Sequence, residues 1–334
     1  MLEWKRKGNL QNHATVFKGK ETVMKRKVGI AIGYYQRAYG DMRAIEIAKE
    51  IGADAVDFDL STNLYDVANP DSIYAKSEEE FVAYFTALKN RADELGIEVC
   101  QTHGRITTYL KDKDEFNANV FVNARLDCYA TKLLGAPYTV MHDISTCGMG
   151  TPDVDPKFMH DMSFEIYNKI LVYAKEFGVI VANETLGDAP PQKCCDFFGS
   201  TDEFIMTYNR IIAVGDNAKY FKMCLDPGHT NKATRFYDNP KPPKAVRMMG
   251  GNIVCLHLND NDTFTDQHKI PFTGTIDWAD LFNALDEIGY SGVYNMEIVT
   301  AAYGEKEMAI ETGAFAVKVL RAYLKKRYPQ DFAE

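Results

Sequence analysis

The chain has 334 residues, 46% hydrophobic and 25% charged, with 38 Lys and Arg against 47 Asp and Glu for a net charge of −9. That is ordinary globular composition with enough chain for a large core, and its acidic balance argues against holding nucleic acid by general phosphate attraction. Seven scattered cysteines without a C-x-x-C pair point to a reduced, cytoplasmic protein; no run approaches the roughly 18 apolar residues of a membrane span.

Residues 1–27 stand apart. They hold eight Lys or Arg against two Glu with no clear helical period, and no apolar stretch of secretory-signal length follows the basic residues. They read as an N-terminal arm that docks on a neighbouring subunit, which implies an oligomer. Lys25-Arg26-Lys27 reads as a solvated run.

From Val28 the pattern alternates. Apolar runs at 28–33, 55–60, 97–102, 138–143, 179–184, 221–226, 252–258 and 292–297 read as buried strands. Helical stripes lie between them: Phe81, Phe85, Leu88, Ala92 and Leu95; Leu281, Leu285 and Ile288; Ala316, Leu320, Tyr323 and Leu324. "ELGIEVC" and "EIGYSGVY" put a glycine between helix and strand, as a helix C-terminus prefers. Eight regular β-α units predict a single (β/α)8 barrel over residues 28–334. The rival is an open doubly wound sheet. It would carry a Gly-rich phosphate loop after an early strand, whereas "IGYYQRAYGD" is aromatic; no nucleotide cofactor is expected.

In such a barrel the C-terminal strand ends converge on one face. Strand 3 ends at His103, strand 4 at His142 and strand 5 at Glu184. Strand 6 ends at Asp226 in "LDPGH", with His229 one turn later. Strand 7 carries His257, followed by Asp266 and His268, and strand 8 ends at Glu297. Five of the seven histidines therefore lie at strand ends or in the loops after them. Such a cluster is costly to bury without compensation, and a divalent cation compensates it. Carboxylate oxygen with imidazole nitrogen suits Mn, Mg, Co, Fe or Zn, and the lack of cysteine in the set argues against a structural zinc site. Tyr34 and Tyr35 follow strand 1 and are candidates to stack on a substrate. Asp57 and Asp59 close strand 2, and only one of them is expected to face inward. "PPQKCCDFFGS" after strand 5 reads as a lid or partner surface.

"LDPGH", "HLNDND…DQHKIPFTGTIDW" and "NME" resemble the xylose-isomerase-like barrel superfamily over about residues 28–326. The superfamily holds sugar isomerases and epimerases, inosose dehydratases and abasic-site endonucleases. The epimerase branch implies one metal held by Glu184, Asp226, His257 and Glu297, with both glutamates also acting as acid and base and His229 contacting a carbohydrate substrate. The expected chemistry is proton abstraction beside a carbonyl. His268 is placed in the substrate shell, and His103 there too, with Asp266 as a further brace. The chain matches the residue type at all nine positions that bind three zinc ions in the abasic-site endonucleases, although "LDPGHTNKATR" departs from the endonuclease wording. Sugar members commonly carry glycine at Phe272, so a ring there is expected to narrow the pocket or meet an aromatic substrate. The large subunits of C-glycoside-cleaving enzymes are also similar. That subgroup implies Mn, a small β-rich partner subunit and His142 as base.

Overall fold

The computed structural model describes residues 26–236, 238–300 and 306–332; all but two residues of the arm lie outside them. The eight strands are β1 (Val28–Ala31), β2 (Ala55–Asp59), β3 (Glu98–His103), β4 (Tyr138–Met141), β5 (Ile180–Glu184), β6 (Phe221–Leu225), β7 (Ile253–Leu256) and β8 (Tyr294–Met296). All paired neighbours are parallel, in the order β8-β1-β2-β3-β4-β5-β6-β7. The ring closes just past β7. Leu258 bridges Met296 in parallel, its N–H donating to the Asn295 carbonyl at 2.8 Å. The expected (β/α)8 barrel is the observed fold.

The helices form where the stripes predict. The helix Glu78–Leu95 starts on a capping box, Ser77 with Glu80, and ends on Gly96 at φ 65°. It buries Phe81, Phe85, Leu88 and Ala92 against the strands. Trp278–Glu287 is capped by Asp277 and buries Leu281 and Leu285; Lys306–Arg327 buries Ala316, Leu320 and Leu324. The main core lies between this helical layer and the outward faces of the strands. Inside the ring, Val140, Ala182, Cys224 and Cys255 form a small plug. Among the described residues no helix is long and apolar enough to cross a membrane.

The segment 190–200 is folded down. Asp188–Ala189 pairs antiparallel with Cys194–Cys195, and the Asp196 carboxylate accepts from the Thr146 and Phe198 N–H groups.

Candidate metal centre

Each strand end delivers its side chain for a local reason. Asp226 follows β6 and is the N-cap of the helix Pro227–Ala233, its Oδ1 accepting from the His229 N–H at 2.7 Å. Its Oδ2 accepts from the Asn259 amide at 2.7 Å. Gly228 is required here, because a Cβ would stand 1.9 Å from the Asn259 Oδ1. Glu184 closes β5, and His257 follows β7; both are fully buried. Glu297 follows β8, with 26% of its side chain exposed. One donor atom from each of Glu184, Asp226, His257 and Glu297 lies within 4.8 Å of all the others.

Two of these atoms fit a bound cation. Glu184 Oε1 and His257 Nδ1 are buried and have no hydrogen-bond partner, although they lie 3.0 Å apart, and Glu297 Oε2 is 3.3 Å from the same nitrogen. Buried polar atoms without partners are rare and costly. An oxygen-rich set with one imidazole suits a divalent ion.

The remaining polar strand-end residues surround this set. His142 Nε2 lies 3.0 Å and His103 Nε2 3.3 Å from Glu184 Oε2, so both imidazoles hold the oxygen turned away from the centre. His229 donates Nδ1–H to the Thr185 carbonyl at 2.9 Å, and His268 donates Nδ1–H to the Glu297 carbonyl at 3.0 Å. Their Nε2 atoms both face Asp266 Oδ2, at 3.4 and 3.3 Å. Asp266 also meets the buried Lys232, which pairs with Asp188 at 2.6 Å.

Asp57 is buried and accepts from His257 Nε2 at 2.9 Å, but the expectation that only one of Asp57 and Asp59 faces inward is not met. Asp59, two residues on and so on the same strand face, also stands in the cleft wall and bonds Arg37 at 2.9 Å and the Ser61 hydroxyl at 2.6 Å. Sequence reasoning missed Asn259 and Lys232. It also missed Cys224, whose thiol shares a 4.8 Å span with Glu184 and His257. The signal for Cys224 was available: residues 224 and 226 share a strand face by alternation.

Two further expectations are corrected. Tyr35 does not line the site: it is fully buried, and its hydroxyl donates to the Ala309 carbonyl at 2.8 Å. A helix begins at Gly33, directly after β1. Successive side chains therefore diverge by about 100°, and only Tyr34 reaches the cleft. Phe272 sits at φ 75°, the left-handed region that favours glycine. Its ring packs on Trp278 and Tyr323, at centroid distances of 5.1 and 4.7 Å, and does not line the cleft.

A cleft of about 310 Å³ opens beside the acidic cluster, with Tyr34, Arg37, His103, Ile106, His268 and Glu297 in its walls. A larger cavity of about 540 Å³ lies at the opposite end of the barrel against Arg26, Tyr138 and Tyr290. It contains none of the cluster's residues and is not the chemical site.

Electrostatics follow from the crowding. Burial alone would keep the imidazoles neutral, but the carboxylates outweigh it: the hydrogen bond and charge of Glu184 raise His103 to about 9. Asp266 and Glu297 likewise raise His268 to about 9. His257 is raised well above its ordinary value despite burial by Cys224, Glu184, Glu297 and its bond to Asp57. In His142 burial prevails over Glu184 and the value falls. Without a cation, imidazolium protons supply the positive charge that this cluster demands.

The sequence profile of the family described as "Xylose isomerase-like TIM barrel" matches residues 45–318. Inosose isomerase of Bacillus subtilis is 25% identical over 68% of this chain and 92% of its own length. Uncharacterized proteins of Sinorhizobium fredii and Methanocaldococcus jannaschii are 23% and 25% identical, over 58% and 41% of this chain. The chain spans about half the length of these two, 56% and 43%. Among solved structures, D-psicose 3-epimerase in the presence of D-fructose superposes with a TM-score of 0.66, 17% identity, 90% of this chain and 98% of that one. The IOLI protein with a binding zinc atom gives 0.64, 17%, 92% and 100%. The 3-keto-D-glucoside 4-epimerase of E. coli gives 0.64, 16%, 89% and 100%. At these identities the structural likeness shows the fold.

Proposed function

Because the chain belongs to the xylose isomerase-like TIM barrel family, we propose that it is a divalent-cation-dependent enzyme of isomerase or epimerase type, removing a proton beside the carbonyl of a sugar or sugar-like substrate. The observation that carries this is the convergence of Glu184, Asp226, His257 and Glu297 within 4.8 Å, with two buried donor atoms left unpartnered, beside an open cleft. The relatives named as a 3-epimerase, a 4-epimerase and an inosose isomerase, and the zinc found in the IOLI protein, support the same reading. Manganese leads, with Mg, Co, Fe or Zn also suited to these donors.

Those four residues hold the cation, which when bound polarises a substrate carbonyl and makes the adjacent C–H more acidic. Of the four, Glu297 is the one that lines the cleft, so it removes the proton. His142, 15% exposed and backed by Glu184 Oε2, keeps a neutral ring and acts as the second proton carrier. Tyr34 lies against the sugar, with His229, His268 and His103 around the reacting end. The arm 1–27 is a subunit contact, and the barrel 28–334 is the catalytic unit. A cytoplasmic oligomer completes the reading. Deuterium appearing at carbon in ketose or inosose substrates incubated in D2O with manganese-loaded protein, and not with Glu297→Gln, tests it. No exchange with any substrate of a broad sugar panel would refute it.

Two alternatives keep the same pocket. The apolar side chains of Ile106 and Val299 beside Tyr34 in the cleft favour a C-glycoside-cleaving lyase with a small β-rich partner. The groups His103–His142–Glu184 and Asp226–His229–His268, flanking the first four, favour an abasic-site endonuclease. Three zinc ions per chain and nicking of abasic DNA would select the endonuclease.

A further inference from the structure

We infer that Asp57, a buried carboxylate with no place in the proposed ligand set, is the positioning residue of the centre: it dictates which nitrogen of His257 faces the cation. The inference rests on the proposed metal site.

His257 has one ring nitrogen on each side of the problem. Nε2 lies 2.9 Å from Asp57 Oδ2, and Nδ1 is the unpartnered atom among Glu184 Oε1 and Glu297 Oε2. A carboxylate opposite Nε2 accepts a proton and cannot donate one. The neutral ring is thereby held as the Nε2–H tautomer, leaving the Nδ1 lone pair for a cation. The same bond fixes the ring plane and makes the free nitrogen more basic.

Asp57 is itself fixed. Oδ2 accepts from the Gln101 amide at 3.0 Å and lies 3.4 Å from the Asn295 amide, and the carboxylate is 1% exposed. Asn295 fits only because Gly29 on the adjacent strand lacks a side chain: a Cβ there would meet Asn295 Oδ1 at 2.8 Å. Asp57 and Gln101 come from the adjacent strands β2 and β3, and Asn295 from β8, which β1 separates from β2. This polar layer inside the barrel would be an expense without benefit in a simple scaffold. Its products are the orientation and tautomer of one imidazole.

The test uses zinc, which is diamagnetic, and protein labelled with 15N histidine. In the zinc-loaded chain the His257 signals should show a proton on Nε2 and a metal-shifted Nδ1; a proton on Nδ1 overturns the inference. Asp57→Asn keeps an acceptor oxygen and the side-chain volume but loses the charge. Zinc affinity by chelator competition should fall about 10- to 100-fold, with the metal-free circular-dichroism spectrum unchanged. Affinity equal to the unmodified chain overturns it. If Asp57→Asn does not fold, the nitrogen signals of the unmodified chain still decide. Should that chain bind no zinc at all, the metal reading fails separately; the metal-free ring, titrated with base until it is neutral, then reports on Asp57, a proton retained on Nε2 supporting the inference and one retained on Nδ1 overturning it.

Discussion

Cation binding to this cluster should expel protons. In the metal-free chain His257 is held protonated well above its ordinary value of 6.5, and a protonated Nδ1 cannot ligate. At pH 7 at least one proton must leave His257 for each cation bound. His103 and His268, each raised to about 9 by the same carboxylates, lose part of that support once a cation takes over the charge. The expected release is therefore about one to three protons, and each proton released makes the apparent Kd fall about tenfold per pH unit between pH 6.5 and 9. Calorimetric titration of Mn2+ or Zn2+ in buffers of different ionisation enthalpy counts the protons directly, and repeating it at several pH values gives the slope. A binding constant that is flat over this range, with no proton release, would refute the picture of imidazolium protons standing in for a cation.

The metal-free chain should also melt at lower temperature as pH rises. His103 and His268 have folded values near 9 against 6.5 when unperturbed, so the stability they contribute is fully present below about pH 6.5 and is lost as pH climbs through about 9. Scanning calorimetry of chelator-treated protein checks this, and a rise in Tm over that interval is the contrary result. Tyr35→Phe should leave turnover and metal affinity unchanged while costing about 1 kcal/mol for the lost bond to Ala309; a tenfold loss of turnover would restore Tyr35 to the site. Asn259→Ala removes the donor that orients Asp226 Oδ2 and should weaken metal binding about tenfold or more, measured by chelator competition.

The barrel was legible because buried parallel strands read as unbroken apolar runs and their helices as stripes. Residues such as Phe81, Phe85 and Leu88 fall where the stripe puts them. The four central donors were legible for a topological reason: in this fold the strand ends must meet. What the sequence could not supply was the facing of side chains just past a strand. Tyr34 and Tyr35 are adjacent in sequence, yet one lines the cleft and the other is core, because the chain turns helical at Gly33 rather than forming a loop. Phe272 looked like a pocket residue by position alone, but its ring joins Trp278 and Tyr323. Asp57 and Asp59 were expected to face opposite ways, but residues two apart share a strand face, and both stand in the wall of the cleft, paired in register with Gln101 and His103. Asn259 carried no signal, because its role depends on the Asp226 geometry and on the missing side chain of Gly228.

The central claim is that residues far apart in the chain meet around one cation. Elemental analysis of the purified protein, loaded with Mn2+ and freed of excess, tests it most directly, with Glu184→Gln and Asp226→Asn alongside. The account predicts one tightly held divalent ion per chain, lost in both variants while their circular-dichroism spectra stay unchanged. An ion that survives Glu184→Gln, or an unmodified chain that retains none, would contradict it.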